Sequence, residues 1–365
     1  MTRFDRHVLA RFFAALALLT ALLVAIFVVL DYAEYVDDFL DRGATMREVF
    51  GTYYLNYLPE IVRLTSPLAV FLAAIYVTAR LSQSLQLTAL RAAGVSMHRY
   101  MVPLAGAGAA IATGMFFFNG YLVPRTNAVV HAFQNQYYRD APETLGGEEV
   151  YRQTAPGQVL GVGYFDREAQ RGYRISLFQL AQDTVRGERR LVARLDAADM
   201  EWTDSLGVWR LREAALRRFP PEGPGTVETF VQLDTALSVR PRDLAQSERD
   251  AQRLTIPEAR DFVDALARAG VTNRGRPLVE YFEKFSYPTA NFILMLIAVP
   301  LAARRRKGGQ AVQLGLGLAV AFVYLALQRV TLPFGYAETI PPVVAAWLPH
   351  AVFWAVAVLL LARMR

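Results

Sequence analysis

The residue types that most often carry out chemistry are few and scattered in this 365-residue chain. There is no cysteine. The four histidines lie in different segments: His7, His98, His131 and His350. None of them has a second ligand at helical spacing, which argues against a metal site. Acidic pairs such as Asp37 with Asp38 and Glu148 with Glu149 lie in polar stretches, so we interpret them as solvated surface.

The sequence also lacks the motifs of nucleotide hydrolysis and of common hydrolases. It contains no G-x-x-x-x-G-K-[ST] loop, no G-x-S-x-G turn and no H-E-x-x-H pair. We therefore predict that the protein is not itself an enzyme and uses no cofactor. Any coupling to ATP hydrolysis must come from another chain.

The remaining residue type that could bind a ligand is arginine. The chain has 39 basic and 33 acidic residues, and Lys284 and Lys307 are its only lysines. Guanidinium groups can bind phosphate or carboxylate at two points. A net charge of +6 is compatible with nucleic acid, an anionic membrane surface or an acidic substrate, and the positions of the charges must decide.

Long runs without Asp, Glu, Lys or Arg dominate the chain. A helix needs roughly 20 apolar residues to cross a bilayer, where its backbone must satisfy its own hydrogen bonds. Five runs approach or exceed that length: Phe12 to Leu30, Met101 to Pro124, Phe285 to Ala303, Gly308 to Gln328 and Thr339 to Ala362. A sixth, Leu64 to Ala79, is shorter and follows Glu60 and Arg63, which are one helical turn apart and able to pair. The sequence therefore predicts six membrane spans.

The first run follows Arg3, Arg6 and Arg11, as the core of a signal peptide would. Its length and the acidic segment that follows it, without a small-residue cleavage site, favour a retained membrane anchor.

Basic residues alternate between the two sides of the predicted membrane. The N-terminus to Arg11, Arg80 to Tyr100, 304 to 307 and the last three residues together hold twelve basic residues and one acidic residue. The first outer segment, 31 to 63, has seven acidic and three basic residues. By the positive-inside rule, both termini are cytoplasmic and the polar block between the third and fourth spans faces outward. Most of the positive charge is thus a topology signal.

Several short stretches of the polar block alternate apolar and polar residues: Leu191 to Ala197, Trp209 to Arg212 and Val231 to Val239. Gln158 to Phe165 is apolar on both faces, and Gly172 to Leu180 follows it after a polar turn. These patterns predict antiparallel strands, and their number predicts a sandwich or jelly roll. A helix should follow, from a capping box at Thr255 and Glu258 to a stop at Gly270.

Two features of the spans bear on function. No ionisable residue sits in the middle of any predicted span, which argues against an ion relay. Small residues four apart, Gly106, Ala110 and Gly114 in one span and Gly317 and Ala321 in another, allow close helix contact. That contact could lie within the six spans or at a subunit interface.

The segment after the second span carries a resemblance. Leu87 to Ser96 reads L-T-A-L-R-A-A-G-V-S and is similar, almost residue for residue, to the LptF/LptG permeases that export lipopolysaccharide. Further similar pieces occur in the same order: V-P-R-x-N at Val123 to Asn127, P-L-A with R-R-R and G-G at Val299 to Gly309, and P-P-x-x-A-A-W-x-P at Pro341 to Pro349. The acidic segment after the first span looks slightly more like LptG.

The resemblance and the patterns imply a multi-pass α-helical membrane protein of the bacterial inner membrane. It has six transmembrane helices and an inserted periplasmic all-β jelly-roll-like domain between helices 3 and 4. The domains would be 1–124 with a cytoplasmic coupling helix at about 82–96, 125–254 for the β domain, 255–284 for a helix and connector, and 285–365 for the last three spans.

The resemblance also implies the function and the partners. The chain would be the permease subunit of an ABC transporter that extracts lipopolysaccharide and passes it to a periplasmic jelly-roll bridge toward the outer membrane. Its partners would be a dimeric LptB-like ATPase, a second LptF/LptG-type permease, LptC/LptA-like jelly-roll proteins and lipopolysaccharide, but no nucleic acid. The alternative is a membrane-anchored scaffold or a mechanotransmitting ABC permease that acts on periplasmic proteins without moving lipid.

Carried over from the family, the ATPase contact falls on the predicted coupling helix. Its residues are Gln86, Leu87, Thr88, Ala89, Leu90, Arg91, Ala92 and Gly94. Gln86 stands where the family usually has Glu, so an ion pair is lost there. Arg91 has an alternative role, contact with anionic headgroups.

The lipid path rests on position alone. Family members often carry basic residues after the first span, but this chain has acids there, so we expect phosphate contact at Arg63, Arg125 and Arg329. Ordinary interfacial anchoring is the alternative for each. Apolar candidates for a cavity or gate shared with the partner permease are Phe27, Leu30, Leu316, Val320 and Phe322.

Overall fold

The computed structural model describes residues 2–137, 150–155, 157–166, 169–182, 189–204, 206–220, 224–241, 244, 254–268, 274–304 and 309–364. The helices of these ranges, in chain order, are α1 (Arg3–Asp41), α2 (Met46–Gln83), α3 (Gln86–Ala92), α4 (Met97–Phe117), α5 (Val123–Tyr137), α6 (Ile256–Arg268), α7 (Gly275–Ala303), α8 (Gly309–Tyr336) and α9 (Pro342–Ala362). A π-helical stretch, Val49–Tyr54, lies within α2, and another, Phe118–Leu122, joins α4 to α5.

The prediction of six spans is confirmed. Six helical segments are long and apolar enough to cross a membrane: α1, α2, α4 with its continuation into α5, α7, α8 and α9. The first of them continues through the acidic segment that follows its apolar run and ends at Asp41. Residues 305–308 of the predicted junction between α7 and α8 lie outside the described residues.

The spans differ in how deeply they are buried within the chain. Helices α2 and α7 form the centre of the bundle, where Phe71, Ala74, Leu294 and Ala298 are completely or almost completely buried. Helices α1, α4 and α8 are the least buried spans. The bundle therefore has two central helices and three peripheral helices that expose most of their apolar surface.

The two ends of the bundle can be told apart by connectivity. We call the end that carries Thr2, α3 and Arg363 the terminal end, and the end where α5 and α7 continue into the inserted segment the insertion end. At the insertion end, the rings of Phe39, Tyr53 and Phe133 pack together with centroids 5.2 to 5.6 Å apart. This aromatic cluster ties the end of α1 to α2 and α5.

The inserted segment is an antiparallel β unit, as predicted. Its strands are β1 (Val150–Ala155), β2 (Gln158–Asp166), β3 (Arg171–Gln182), β4 (Arg189–Thr203), β5 (Val208–Arg218) and β6 (Thr226–Thr235). They form one six-stranded sheet in sequence order. Short connections make each strand pair with the next as a hairpin, so the described strands form a meander and not the two packed sheets of a sandwich.

At one row of residues across β3, β4 and β5, the alternation of core-facing and outward-facing side chains is interrupted. Arg174 in β3 and Glu213 in β5 have left-handed φ angles of 54° and 51°, and the registers on either side place Ala198 of β4 between them. Beyond this row the inward positions are offset by one residue, from Ala197 to Met200 in β4, for example. Both halves of the sheet therefore contribute to one apolar core.

The predicted strand Val231 to Val239 was wrong at its end. β6 stops at Thr235, and Val231 is 89% exposed. Val239 is buried after the strand has ended, where its carbonyl accepts a hydrogen bond of 2.7 Å from Nε1 of the buried Trp209. The apolar alternation past residue 235 thus reflects packing of the chain after the strand.

Helix α6 confirms the helix predicted after the strands and begins directly after Thr255, the predicted capping residue. Its predicted apolar face is buried at Ala259, Phe262, Val263 and Leu266. The predicted stop, Gly270, lies outside the described residues.

The chain divides into two compact units. The first comprises residues up to 138, 252–257 and 275 onward, and the second comprises 139–251 and 258–274. The finer domain limits given above remain predictions, although α5 keeps residues 125–137 with the helical unit.

Candidate functional site

The predicted coupling helix is present as α3, a helix of two turns at the terminal end. Leu85 precedes it with a left-handed φ of 61°, and Gly94 follows it with φ of 81°. That angle favours glycine, so the predicted stop at Gly94 is confirmed by the backbone. The next helix begins at once, because the Ser96 hydroxyl accepts a hydrogen bond of 3.2 Å from the Arg99 amide.

Only one side chain of α3 is fully buried. Leu87 is 2% exposed and belongs to the core of the bundle, and Leu90 packs partly against that core. The remaining predicted contact residues, Gln86, Thr88, Ala89, Arg91, Ala92 and Gly94, are exposed. Helix α3 is therefore anchored to the bundle at Leu87 and in part at Leu90, and the other predicted contact residues are exposed.

An ion pair that the sequence did not predict lies at the terminal end of the bundle. Asp5 is 4% exposed and accepts two hydrogen bonds from the Arg99 guanidinium, of 2.8 and 3.1 Å. Asp5 is in the first turn of α1 and Arg99 in the first turn of α4. The two residues are 94 positions apart, so no local pattern could have paired them.

The three arginines predicted to contact phosphate have different surroundings. Arg63 pairs with Glu60, as the sequence predicted, with Nε to Oε2 at 2.8 Å, and its guanidinium lies 5.2 Å from the ring centroid of Tyr287. Arg125 and Arg329 are exposed, and within the described residues neither makes an ion pair. The structure does not bring the three together by any direct contact.

The insertion end also holds charges that the sequence did not predict to be buried. Glu280 and Lys284 are 2% and 4% exposed. Nε of Arg276 donates to Oε1 of Glu280 at 2.9 Å, and Gln328 donates to Glu283 at 3.4 Å. The sequence did not predict their burial, because α7 begins at Gly275, about three turns before the charge-free run that marked the span.

The predicted cavity residues lie on the peripheral helices. Phe27 and Leu30 of α1 are exposed at 40% and 62%, and Phe322 of α8 at 71%. The other two, Leu316 and Val320, are half-buried on the same helix. All five positions are thus on spans whose apolar side chains find few partners within this chain.

The small-residue patterns have opposite outcomes. Gly317 packs closely within the bundle, since a Cβ there would lie 2.2 Å from Cδ1 of Ile75. On α4, a Cβ added at Gly106 or Gly114 would meet no heavy atom within 4 Å, and Ala110 is exposed. Contact within the chain is therefore correct for α8 and wrong for α4.

Within the part of the chain that the structure describes, no group of three or more His, Asp or Glu side chains could hold a metal ion. His350 is buried and lies 3.2 Å from the Tyr324 hydroxyl. The candidate functional surfaces are α3, the exposed arginines and the peripheral helices.

Known proteins are similar to this chain over nearly its whole length. The family model described as lipopolysaccharide export system permease LptF/LptG matches residues 6–363. The chain is also similar to the lipopolysaccharide export system permease protein LptG of Escherichia coli strain K12, with 21% identity over 98% of each chain. The LptG protein of E. coli O6:H1 is similar to the same extent.

Proposed function

We propose a transport mechanism for this chain on the premise that it belongs to the LptF/LptG family of lipopolysaccharide export permeases. The chain would be the membrane subunit of an ABC transporter that extracts lipopolysaccharide from the inner membrane. The observation that carries this proposal is the family match over nearly the whole chain, combined with six spans and an inserted β unit.

The charges support an orientation. The segments that the positive-inside rule assigns to the cytoplasm hold twelve basic residues and one acidic residue, and the described ones among them, such as Arg3, Arg91 and Arg363, lie at the terminal end. The insertion end and the β unit would then be periplasmic. This orientation puts α3 on the side where ATP is available.

Helix α3 would bind a groove on a dimeric ATPase. Its burial supports this role, because Leu87 fixes the helix to the bundle while Thr88, Ala89 and Arg91 point outward. Gln86 is also exposed, so it can still donate or accept hydrogen bonds to the ATPase where relatives carry a charge.

Lipopolysaccharide would enter between α1 and α8 of this chain and the corresponding helices of a second permease. The exposed side chains of Phe27, Leu30 and Phe322 support such a cavity, because they find few partners within this chain. Arg125 and Arg329 are the better candidates for the phosphates, since neither is engaged by a described acid. Arg63 would first have to leave Glu60 and the Tyr287 ring.

The β unit would pass acyl chains onward along its apolar face. A photocrosslinking residue at Leu177, which faces the core of the sheet, should then capture lipopolysaccharide. The matched control is Val231, which faces away at 89% exposure and should not. Capture at both positions, or at neither, would contradict a conduit along that face.

The decisive test of the proposed function is purification of the protein from its host membrane in mild detergent. We expect an ATPase dimer, a second permease and lipopolysaccharide to copurify, and the complex to release lipid to an acceptor when ATP is added. Ala89→Asp should prevent recovery of the ATPase, because it places a charge on the exposed face of α3. His7→Asp adds the same charge at an exposed position on α1 and should have no effect.

The outcomes separate the alternatives. Recovery of periplasmic proteins without an ATPase would favour a membrane-anchored scaffold. Recovery of an active ATPase without lipid release would favour a mechanotransmitting permease. Either result would overturn the transport function.

A further inference from the structure

We propose that the ion pair between Asp5 and Arg99 is a latch through which movement of α3 reaches α1. The inference rests on the transport function proposed above, because it concerns how the ATPase contact would act on a helix beside the lipid path. Asp5 and Arg99 are positioning residues in this proposal, since neither would touch lipid or nucleotide.

The geometry of the pair is that of a strong, directional contact. The guanidinium binds both carboxylate oxygens, Nη1 to Oδ1 at 3.1 Å and Nη2 to Oδ2 at 2.8 Å. Such two-point pairs fix orientation as well as distance. The Phe4 and Tyr100 rings, 6.3 Å apart, lie in the same two helical turns.

The position of Arg99 is unfavourable for its own helix. It lies in the first turn of α4, where the helix dipole disfavours a positive charge, and Ser96 already caps that turn. Asp5, by contrast, is a favourable residue in the first turn of α1, where its carboxylate also accepts a bond of 2.8 Å from the Thr2 amide. What Arg99 stabilises is therefore the contact with α1.

Helix α3 is closely linked to the turn that carries Arg99. Only residues 93–96 separate α3 from α4, and within them the Val95 amide donates to the Leu90 carbonyl at 3.0 Å. Leu87 of α3 and Met97 and Tyr100 of α4 are buried in the same core. A displacement of α3 would thus be carried into the first turn of α4.

Helix α1 has few fully buried residues along most of its length. Its buried residues are Asp5, Val8, Phe12 and Ala15 near the terminal end, and then only Phe39. A groove of about 480 Å³ lies between α1 and α4 beside the ion pair, lined by Leu9, Phe13, Val102 and Gly106 among others. The two helices therefore do not pack tightly beyond the pair, and the latch is placed where a shift of α4 can tilt α1.

The test measures movement of α1 directly. The chain has no cysteine, so Leu22→Cys on α1 and Val352→Cys on α9, both exposed, can be spin-labelled in the purified transporter complex. We expect the distance between the labels to change when a non-hydrolysable ATP analogue is added. With Asp5→Asn or Arg99→Gln, we expect that change to be lost.

The same variants should separate ATP hydrolysis from lipid release. We expect lipid released per ATP hydrolysed to fall about tenfold, within the range of coupling between distant sites. Arg6→Gln is the matched control for Arg99→Gln, because it removes a positive charge from the same end at an exposed position. Arg99→Lys, which keeps the charge, should recover part of both effects.

The results that would overturn the latch are distinct from failure of the transport function. An unchanged label distance response in both Asp5→Asn and Arg99→Gln would overturn it, whatever happens to lipid release. A parallel loss of ATP hydrolysis and lipid release, with their ratio unchanged, would also overturn it by showing a merely structural contact. Absence of lipid release in the unsubstituted complex would overturn the proposed function alone, since the distance measurement needs no lipid.

Discussion

The helical unit and the β unit distribute polarity in opposite ways. In the β unit, Trp209 and Leu211 are buried, whereas the Arg210–Asp234 pair remains about one-third exposed. In the helical unit, the charged side chains of Glu280 and Lys284 are buried. The surface of the β unit is therefore suited to water, and the surface of the helical unit is suited to lipid.

Within the helical unit the contrast is clearest between the two spans at the extremes of hydropathy. Helix α1 is the most apolar span and the least buried, whereas α7 is the least apolar and the most buried. In water the order would be the reverse, because apolar surface is removed from solvent. In a bilayer the lipid accepts apolar side chains, and close packing and polar contacts are placed between helices.

The largest effect that can test this contrast comes from comparing a buried with an exposed ion pair. Arg276→Ala leaves the fully buried Glu280 carboxylate without its guanidinium. We expect a loss of about 2 to 3 kcal/mol, slightly below the range for wholly buried pairs because Arg276 is half-exposed. Thermal unfolding in detergent measures the change.

The matched control in the β unit is Arg210→Ala. Its partner Asp234 stays accessible to water, so the expected loss is much smaller than for Arg276→Ala. Equal decreases in the melting temperature for the two variants would break the comparison.

A smaller effect comes from two glycines of the helical unit that differ in their surroundings. At Gly335 of α8 a Cβ would lie 2.3 Å from Cβ of Ala345, so Gly335→Ala must force α8 and α9 apart. The expected cost is about 1 to 3 kcal/mol. At Gly106 there is open space, and Gly106→Ala should stabilise its helix by up to about 1 kcal/mol.

These two substitutions are made in the same detergent and compared by thermal unfolding. Their signs should be opposite. A destabilising Gly106→Ala in the isolated chain would mean that the open face of α4 is packed after all.

The smallest effect is a pH dependence of the β unit. The Arg210 guanidinium, through its hydrogen bonds, lowers the pKa of Asp234 below its ordinary value. The stabilisation from this pair is therefore present above the unfolded pKa of about 4 and lost as the pH falls through the lowered folded value. In Asp234→Asn, tryptophan fluorescence during acid unfolding should show a shallower loss of stability, and an unchanged profile would remove the pair from the acid response.

Local sequence patterns were sufficient to predict the main helices and strands of both units. The charge-free runs predicted the spans, and Thr255 and Glu258 predicted the start of α6. The interrupted alternation in the sheet could not be predicted, because Arg174 and Glu213 are not residue types that favour a left-handed backbone. The true end of β6 was hidden because buried residues after a strand can continue its alternation.

The candidate site was predictable where its spacing is local. Helix α3 and the Glu60–Arg63 pair follow from residues a few positions apart. The Asp5–Arg99 pair and the burial of Lys284 depend on helices distant in sequence. The same limit explains why identical small-residue spacing is packed at Gly317 and open at Gly106.

The burial of α1 at its two ends has a mechanical consequence. Between Ala15 and Phe39 the helix has no fully buried residue, a length of roughly 35 Å at about 1.5 Å per residue. A helix that is held at both ends bends most easily near its middle. Sideways bowing there would break none of the fully buried contacts of α1. It would strain partly buried ones, such as the hydrogen bond of 3.0 Å from the Tyr54 hydroxyl to the Asp31 carboxylate, so these contacts and the surrounding lipid supply the stiffness that resists it.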